Sequence, residues 1–514
     1  MKYRSMFTRL TAALLVAVFL PTAALADNWY LEDGDITVSA TESGQTVSQG
    51  DVTKEDSAPV IKNRDSSTST TNNVTIKADT GATANVTLED TNIDTTGGAG
   101  INAAGDAAVR TEGGGNVNLN VEQDNTLQSG DEHAGVEKDN GGNLTIGSES
   151  GSGQLVATGG DGGAGIGSGD RLSRGDYNVG NITITGGDIF ATGNGGGAGI
   201  GGGWYCDASG ITITGGNVTA EAKSESPNHI GGAGIGGGGW NDKYPGRGTN
   251  IKITGGHVTA IGGNYSAGIG GSIGSNGSDI AISDAEVIAI GGTSSAGIGG
   301  GCSTGFGGAG KGTNISISGS ANVKAAGGVG DGVDGSGAAI GGGGEHYSNY
   351  LGAIDAPEGD ADSSGLSPDG KVERFAPGTT FDIPQPKPRS SFYIVSEYIV
   401  SEENEPEQPA AAALYRVVDG EGNPLAVKTL WENGTLTLTA DGETAVLEGT
   451  LSGLSVLRNQ GLETVCFTNG IVTVRFSLEE AIAKGAPTDQ YRLTLSGSVA
   501  AFLLEGTEIS GLLK

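Results

Sequence analysis

The chain has 514 residues, of which 97 are glycine and only 5% are aromatic, and its 60 acidic residues outnumber 28 basic ones to give a formal net charge of −32. That balance excludes nucleic acid and anionic lipid surfaces as partners. Three cysteines, Cys206, Cys302 and Cys466, are too few and too scattered for a disulfide framework.

The first 26 residues read as a secretory signal. Lys2, Arg4 and Arg9 precede an apolar run from Leu10 to Leu20, and Ala24-Leu25-Ala26 is a small-x-small site with cleavage expected before Asp27. The run is shorter than the roughly 20 residues a membrane span needs, and no other stretch approaches that length, so no membrane insertion is expected. Residues 27–72 are polar and rich in Ser, Thr and Asp, with a cap strand expected around Ile36 to Ala40.

From Asn73-Val74-Thr75-Ile76 a strand pattern begins, continuing through Val86-Thr87-Leu88 and Val117-Asn118-Leu119. It then becomes a repeat anchored at Ile166, Ile200, Ile235, Ile269, Ile298 and Ile340, with spacings by subtraction of 34, 35, 34, 29 and 42 residues and weaker echoes at Val136 and Ile101. A period in this range marks a solenoid. One unit reads Asn181-Ile182-Thr183-Ile184-Thr185-Gly186-Gly187-Asp188-Ile189-Phe190-Ala191 and runs on to Ala198-Gly199-Ile200-Gly201-Gly202-Gly203. The side-chain period of two places Ile182, Ile184, Ile189, Ala191, Ala198 and Ile200 on one face, and the same set recurs as Ile211, Ile213, Val218, Ala220, Ala233 and Ile235 and again from Ile251 to Ile269. A flexible glycine-rich linker has no reason to hold that phase. The expected fold is all-β, a right-handed parallel β-helix over residues 73–351 whose three-stranded coils stack at the inter-strand spacing of about 4.8 Å.

Residues 352–410 are acidic and Pro-rich, including Pro384-Gln385-Pro386-Lys387-Pro388, and read as a linker. Residues 411–514 change to a small antiparallel β-rich domain. One hairpin is expected at Asp441-Gly442 between Thr435–Thr439 and Thr444–Leu447, and another at Asn469-Gly470 between Thr464–Thr468 and Ile471–Phe476. A short helix at Leu478 to Lys484 and a strand over Tyr491 to Leu495 follow.

Three surfaces of the solenoid invite a ligand. Gly199, Gly201 and Gly203 alternate with the inward Ala198 and Ile200, which predicts an outward glycine strip, open to a flat partner such as a sugar ring or set only by the turn that follows. The loops after these glycines carry Trp204, Tyr205, Trp240, Tyr244 and Tyr347, rings that suit stacking on carbohydrate or else fold down over the solenoid flank. The outward residues of the second strand, Phe190, Ile261, Ile288 and Ile290, are the reserve. The Thr183/Thr185 and Thr212/Thr214 row resembles an ice-binding array but is broken by Lys252, Ala281 and Ser316. No cofactor is required. Single acids such as Asp161, Asp331 and Asp334 can serve a loop Ca2+, although the Gly327-to-Gly332 stretch departs from the calcium nonapeptide. No pair of carboxylates at a defined separation can be nominated for glycoside hydrolysis, and His257 stands alone, so no catalytic residue is assigned.

At Asn250-Ile251-Lys252-Ile253-Thr254-Gly255-Gly256-His257-Val258-Thr259-Ala260, followed by Ser266-Ala267-Gly268-Ile269-Gly270-Gly271, the chain resembles the glycine-rich (AGIGGG-type) repeat surface proteins of gut Firmicutes. It is also similar to the carbohydrate-binding parallel β-helix proteins of clostridia, over about residues 73 to 344. The resemblance implies an extracellular or bacterial cell-surface location, adhesion to a polysaccharide or a host or dietary glycan, and calcium in acidic coils. The alternatives are a polysaccharide lyase or glycoside hydrolase of the β-helix type and a purely structural surface stalk. Oligomeric state is left open.

Overall fold

The computed structural model describes residues 27–96, 105–170, 178–224, 230–239, 246–303, 308–331, 334–345, 355–356, 358–386, 415–419, 425, 427–432, 435–440, 444–459, 462–486, 489–497, 499–504, 506–509 and 511–513. The expected signal at residues 1–26 lies outside them. The chain divides into two compact units, Met1–Ser391 and Phe392–Lys514.

The first unit is a stack of parallel coils. Each coil supplies one strand to each of three sheets, as in Asn178–Ile184, Asp188–Asn194 and Ile200–Gly201. Because the apolar pattern repeats, the strands pair in register. The first sheet carries the ladder Ile182, Ile211, Ile251, Ile280 and Ile315. The second carries Ile189, Val218, Val258, Val287 and Val323. The third carries Ile166, Ile200, Ile235, Ile269, Ile298 and Ile340. All are buried, and each isoleucine contributes at most about 2–3 kcal/mol by leaving water.

Toward the N-terminus the third ladder continues through Val136, Val109, Val74 and Ile36. Val109, not Ile101, therefore fills the next rung, and Ile101 lies outside the described residues. The expected cap strand is Ile36–Thr41, and it is a full rung. It folds into antiparallel pairing with Gly44–Gln49, which pairs in turn with Val52–Glu55. The Gln45 side chain seals this end by accepting from Asn85 N at 2.8 Å and donating to the carbonyls of Asp56 and Asn85.

A second stack runs through the middle of the first-sheet strands, at the one position where their pairing is interrupted. Asn181, Gly210, Asn250, Asp279 and Asn314 all have φ between 50° and 73°. Asn, Asp and Gly are the residues that tolerate this left-handed conformation. Side-chain contacts tie some rungs together, as where Asn314 Nδ2 donates to Asp279 Oδ1 at 2.5 Å.

The glycine strip is not an outward surface. Gly199, Gly201 and Gly203 are buried. A Cβ on Gly199 would lie 2.5 Å from Glu221 N in the next coil, and one on Gly201, where φ is +137°, would lie 2.1 Å from Gly236 O. The alternation rule fails because the third strand is two residues long and leaves the extended region at its glycine, so these glycines serve coil-to-coil approach.

The stretch read as linker begins as a cap. Lys371–Phe375 adds in parallel to Asn322–Ala326 in the second sheet. Glu358 takes the place of a following rung in the third sheet, accepting from Ala339 N at 2.7 Å and Ile340 N at 3.3 Å, and Arg374 Nη1 binds the same carboxylate at 2.9 Å.

In the second unit, among the described residues, Tyr415–Val418, Thr444–Thr450, Gln490–Ser496, Val499–Leu504 and Thr507–Glu508 form an antiparallel sheet. Val427–Glu432, Thr435–Ala440, Thr464–Thr468 and Thr473–Ser477 form a second, mixed sheet. The Asn469-Gly470 hairpin forms, with Gly470 at φ +81°. The Asp441-Gly442 hairpin does not: Thr435–Ala440 and Thr444–Thr450 belong to different sheets, and Thr435–Ala440 instead pairs in parallel with Thr464–Thr468. That parallel pair needs a crossover, which the unforeseen helix Leu451–Asn459 helps to supply. The expected helix is Leu478–Ile482, capped at its start by the Ser477 hydroxyl. Phe476, Phe502 and Tyr491 pack at the centre, with ring centroids 5.3 and 5.7 Å apart.

Candidate functional site

Trp204 and Tyr205 sit in the turn after the third strand, and Tyr205 has φ +60°. The indole lies on glycines: a Cβ on Gly162 or Gly196 would come within 2.6 Å of its ring, and its Nε1–H donates to Gly195 O. Trp204 therefore covers the solenoid flank rather than standing clear as a platform. Trp240, Tyr244 and Tyr347 lie outside the described residues.

The outer face of the second sheet offers a different geometry. In-register pairing lines up Asp188, Asn217, His257 and Glu286 as one row, and Phe190, Thr219, Thr259 and Ile288 as the next. The polar row is tied in pairs, with Asn217 Nδ2 donating to Asp188 Oδ1 at 2.7 Å and His257 Nδ1 lying 2.8 Å from Glu286 Oε2. His257 is thus not alone, although both it and Glu286 are largely exposed, at 64% and 63%. Thr219 and Thr259 point outward yet are buried. Pro384 and Gln385, beyond the capping strand, join Asp188, Phe190, Asn217, Thr219, His257 and Thr259 in lining a cleft of about 420 Å³. Its floor is a half-buried ring beside hydroxyls and its edge is a line of donors and acceptors.

A second polar cluster escaped the sequence reading. Glu137 is buried in the third sheet, where the next coil has Gly167. Its Oε1 accepts from Arg110 Nε at 3.2 Å, and its Oε2 lies 2.7 Å from His133 Nδ1 and 3.2 Å from Ala134 N. Burial pushes this carboxyl up, but the hydrogen bond to His133 and the charges of His133 and Arg110 outweigh it and hold Glu137 below the ordinary carboxylate range. The signal available in the sequence was a charged residue at the rung where later coils place glycine.

The loop acids are engaged within the protein. Asp331 Oδ2 accepts from Tyr265 Oη at 3.2 Å and Asp331 Oδ1 from Asp334 N at 2.8 Å. Burial first and the Asp331 carboxylate second push the Tyr265 phenol up to about 12. Burial, then Asp334, raises the Cys302 thiol, which keeps it protonated and a poor nucleophile. Among the described residues no group of three or more His, Cys, Asp or Glu is placed to hold a metal ion.

No curated protein and no solved structure matches the chain. Four stretches, residues 182–204, 211–239, 251–274 and 280–302, match the family described as Beta helix repeat. Each begins at an isoleucine of the first-sheet strand and runs through the second-sheet strand, with the parallel ladders continuing on either side. The first unit is therefore a parallel β-helix, and four of its coils match this repeat.

Proposed function

We propose that this chain is a secreted or cell-surface module that binds a polysaccharide or a host or dietary glycan on its solenoid, without catalytic activity. The observation that carries the reading is the cleft on the second sheet, where Phe190 lies beside Asp188, Asn217 and His257, a polar row that Glu286 continues one coil on. A sugar ring has an apolar face and a hydroxyl-rich edge, and an aromatic floor beside fixed donors and acceptors complements both. The location rests on the export signal expected at residues 1–26.

A hydrolase at the same place would build on His257 and Glu286. Its second carboxylate would be Asp188, three coils away in the ladder, which at the sheet spacing is about 14 Å. Glycosidases hold their two carboxyls about 5–9.5 Å apart. The binding reading therefore fits the spacing better.

The test is a glycan array with the mature protein, with and without Ca2+, followed by Phe190→Ala on every hit and by reducing-end and unsaturated-product assays. Binding that weakens in Phe190→Ala, with no product, is the expected result. Binding untouched by Phe190→Ala would move the site off this face, and product that survives purification would make the protein an enzyme.

A further inference from the structure

We infer that the cleft takes an extended glycan free of carboxylate and sulfate groups, laid along the solenoid axis at about one sugar per coil. The inference rests on the glycan-binding reading and narrows it to a substrate class and a direction.

The direction follows from register. Rows formed by equivalent residues of successive coils run along the stack, so Asp188, Asn217, His257 and Glu286 form a polar rail and Phe190, Thr219, Thr259 and Ile288 an apolar rail beside it. Both rails repeat at the sheet spacing of about 4.8 Å. A linear pyranose chain presents one ring, with one hydroxyl edge and one apolar face, at nearly that interval. A chain crossing the coils at right angles would instead meet the bend at Gly186-Gly187 on one side and the glycine run from Gly193 on the other, with no repeat to match.

The chemical class follows from charge. Asp188 lines the cleft and Glu286 follows His257 one coil on in the polar rail, whereas Glu221, two residues from Thr219, is paired with Lys223 at 3.6 Å. Among the described residues lining the cleft there is no Lys or Arg, and along the rail the first cation, Lys324, stands two coils beyond Thr259. These carboxylates lie within or near one Debye length of the cleft, about 8 Å at physiological salt, so a polyanion bound there meets them unscreened. The net charge of −32 adds a long-range barrier of the same sign. A neutral sugar meets no such repulsion and finds an acceptor for its hydroxyls in Asp188.

The experiment uses the mature full chain and isothermal titration against a neutral polymer series (xylan, glucomannan) and an acidic one (polygalacturonate), at low and high salt. Neutral oligosaccharides of increasing length and the Phe190→Ala variant complete the set, with circular dichroism confirming that the variant is folded. The expected result is neutral-glycan binding that changes less than about twofold with salt, weakens at least fivefold in Phe190→Ala, and gains affinity up to about three sugars before levelling, because three coils line the cleft. Polygalacturonate should not bind at low salt. Polygalacturonate binding that is lost in Phe190→Ala would overturn the charge class while leaving glycan binding intact. Neutral binding with no length dependence beyond one or two sugars would overturn the axial direction. Failure of every glycan to bind would remove the underlying reading as well.

Discussion

The buried glycines of the third strand make the sharpest test of the solenoid, because two neighbouring positions separate backbone strain from coil-to-coil contact. Gly270 has φ +135°, and a Cβ there would lie 2.1 Å from Gly299 O in the next coil. Gly274, four residues on, has φ +64° with nothing within 4 Å. Alanine at Gly274 should cost only the left-handed penalty, about 1–2 kcal/mol. Alanine at Gly270 adds a conformation open essentially to glycine alone, about 1–3 kcal/mol, to an overpacked contact against a carbonyl that cannot swing away, about 1–3 kcal/mol more. The total of about 2–6 kcal/mol is a large share of the stability of an ordinary domain. Urea unfolding followed by circular dichroism, with limited proteolysis to locate the opening, should show Gly270→Ala unfolding well before Gly274→Ala, with first cuts in the coils on either side of Gly270. Coincident midpoints for the two variants would mean that the close approach of successive coils is not what demands glycine here.

Three further outcomes follow from particular contacts. Trp204→Ala uncovers Gly162 and Gly196 and should lower stability by about 2 kcal/mol while leaving glycan affinity unchanged in titration; a large affinity loss with unchanged stability would return the indole to the binding surface. Glu137 has a depressed folded pKa, so its contribution is present above the ordinary carboxylate range near 4 and is lost as pH falls through the folded value. Glu137→Gln should accordingly be less stable than the wild type at neutral pH, the gap closing on acidification, and a gap in urea midpoint that stays constant with pH would refute the assignment. Glu358→Ala leaves the amides of Ala339 and Ile340 without their cap, so hydrogen exchange at Ile340 should accelerate and light scattering should detect end-to-end association through the bared edge; unchanged exchange at Ile340 would show that the cap is not needed.

The apolar code of the repeat coils was legible, since Ile182, Ile211 and Ile251 repeat a phase that only stacked strands can use, and each is buried where the phase puts it, but at the N-terminal end parity pointed to Ile101 where Val109 fills the rung. What alternation could not convey was the conformation of a two-residue strand: Gly201 counts as outward by parity and is buried by geometry. Turn chemistry was equally ambiguous. Asn469-Gly470 joins two paired strands, whereas Asp441-Gly442 lies between strands of separate sheets, and a dipeptide that favours a tight turn carries no information about what its flanks will pair with. At the cleft, Phe190 was visible as an outward residue of the second strand, but the wall formed by Pro384 and Gln385 comes from a segment whose composition reads only as spacer. The Asp188–Asn217 and His257–Glu286 pairs depend on register between coils, which the loop lengths obscure.

The in-register stacking has a mechanical consequence. Its backbone hydrogen bonds point along the stack, so tension between the two ends of the solenoid would load them one rung after another instead of all together. Such a stack yields coil by coil. Each coil released between Ile200 and Ile340 frees 29 to 42 residues by the spacing of the third-sheet partners, or about 100–150 Å of extended chain. A molecule gripped at its two ends would lengthen in steps under shear and rewind when the load passes, holding on where a single cooperative core would fail at once.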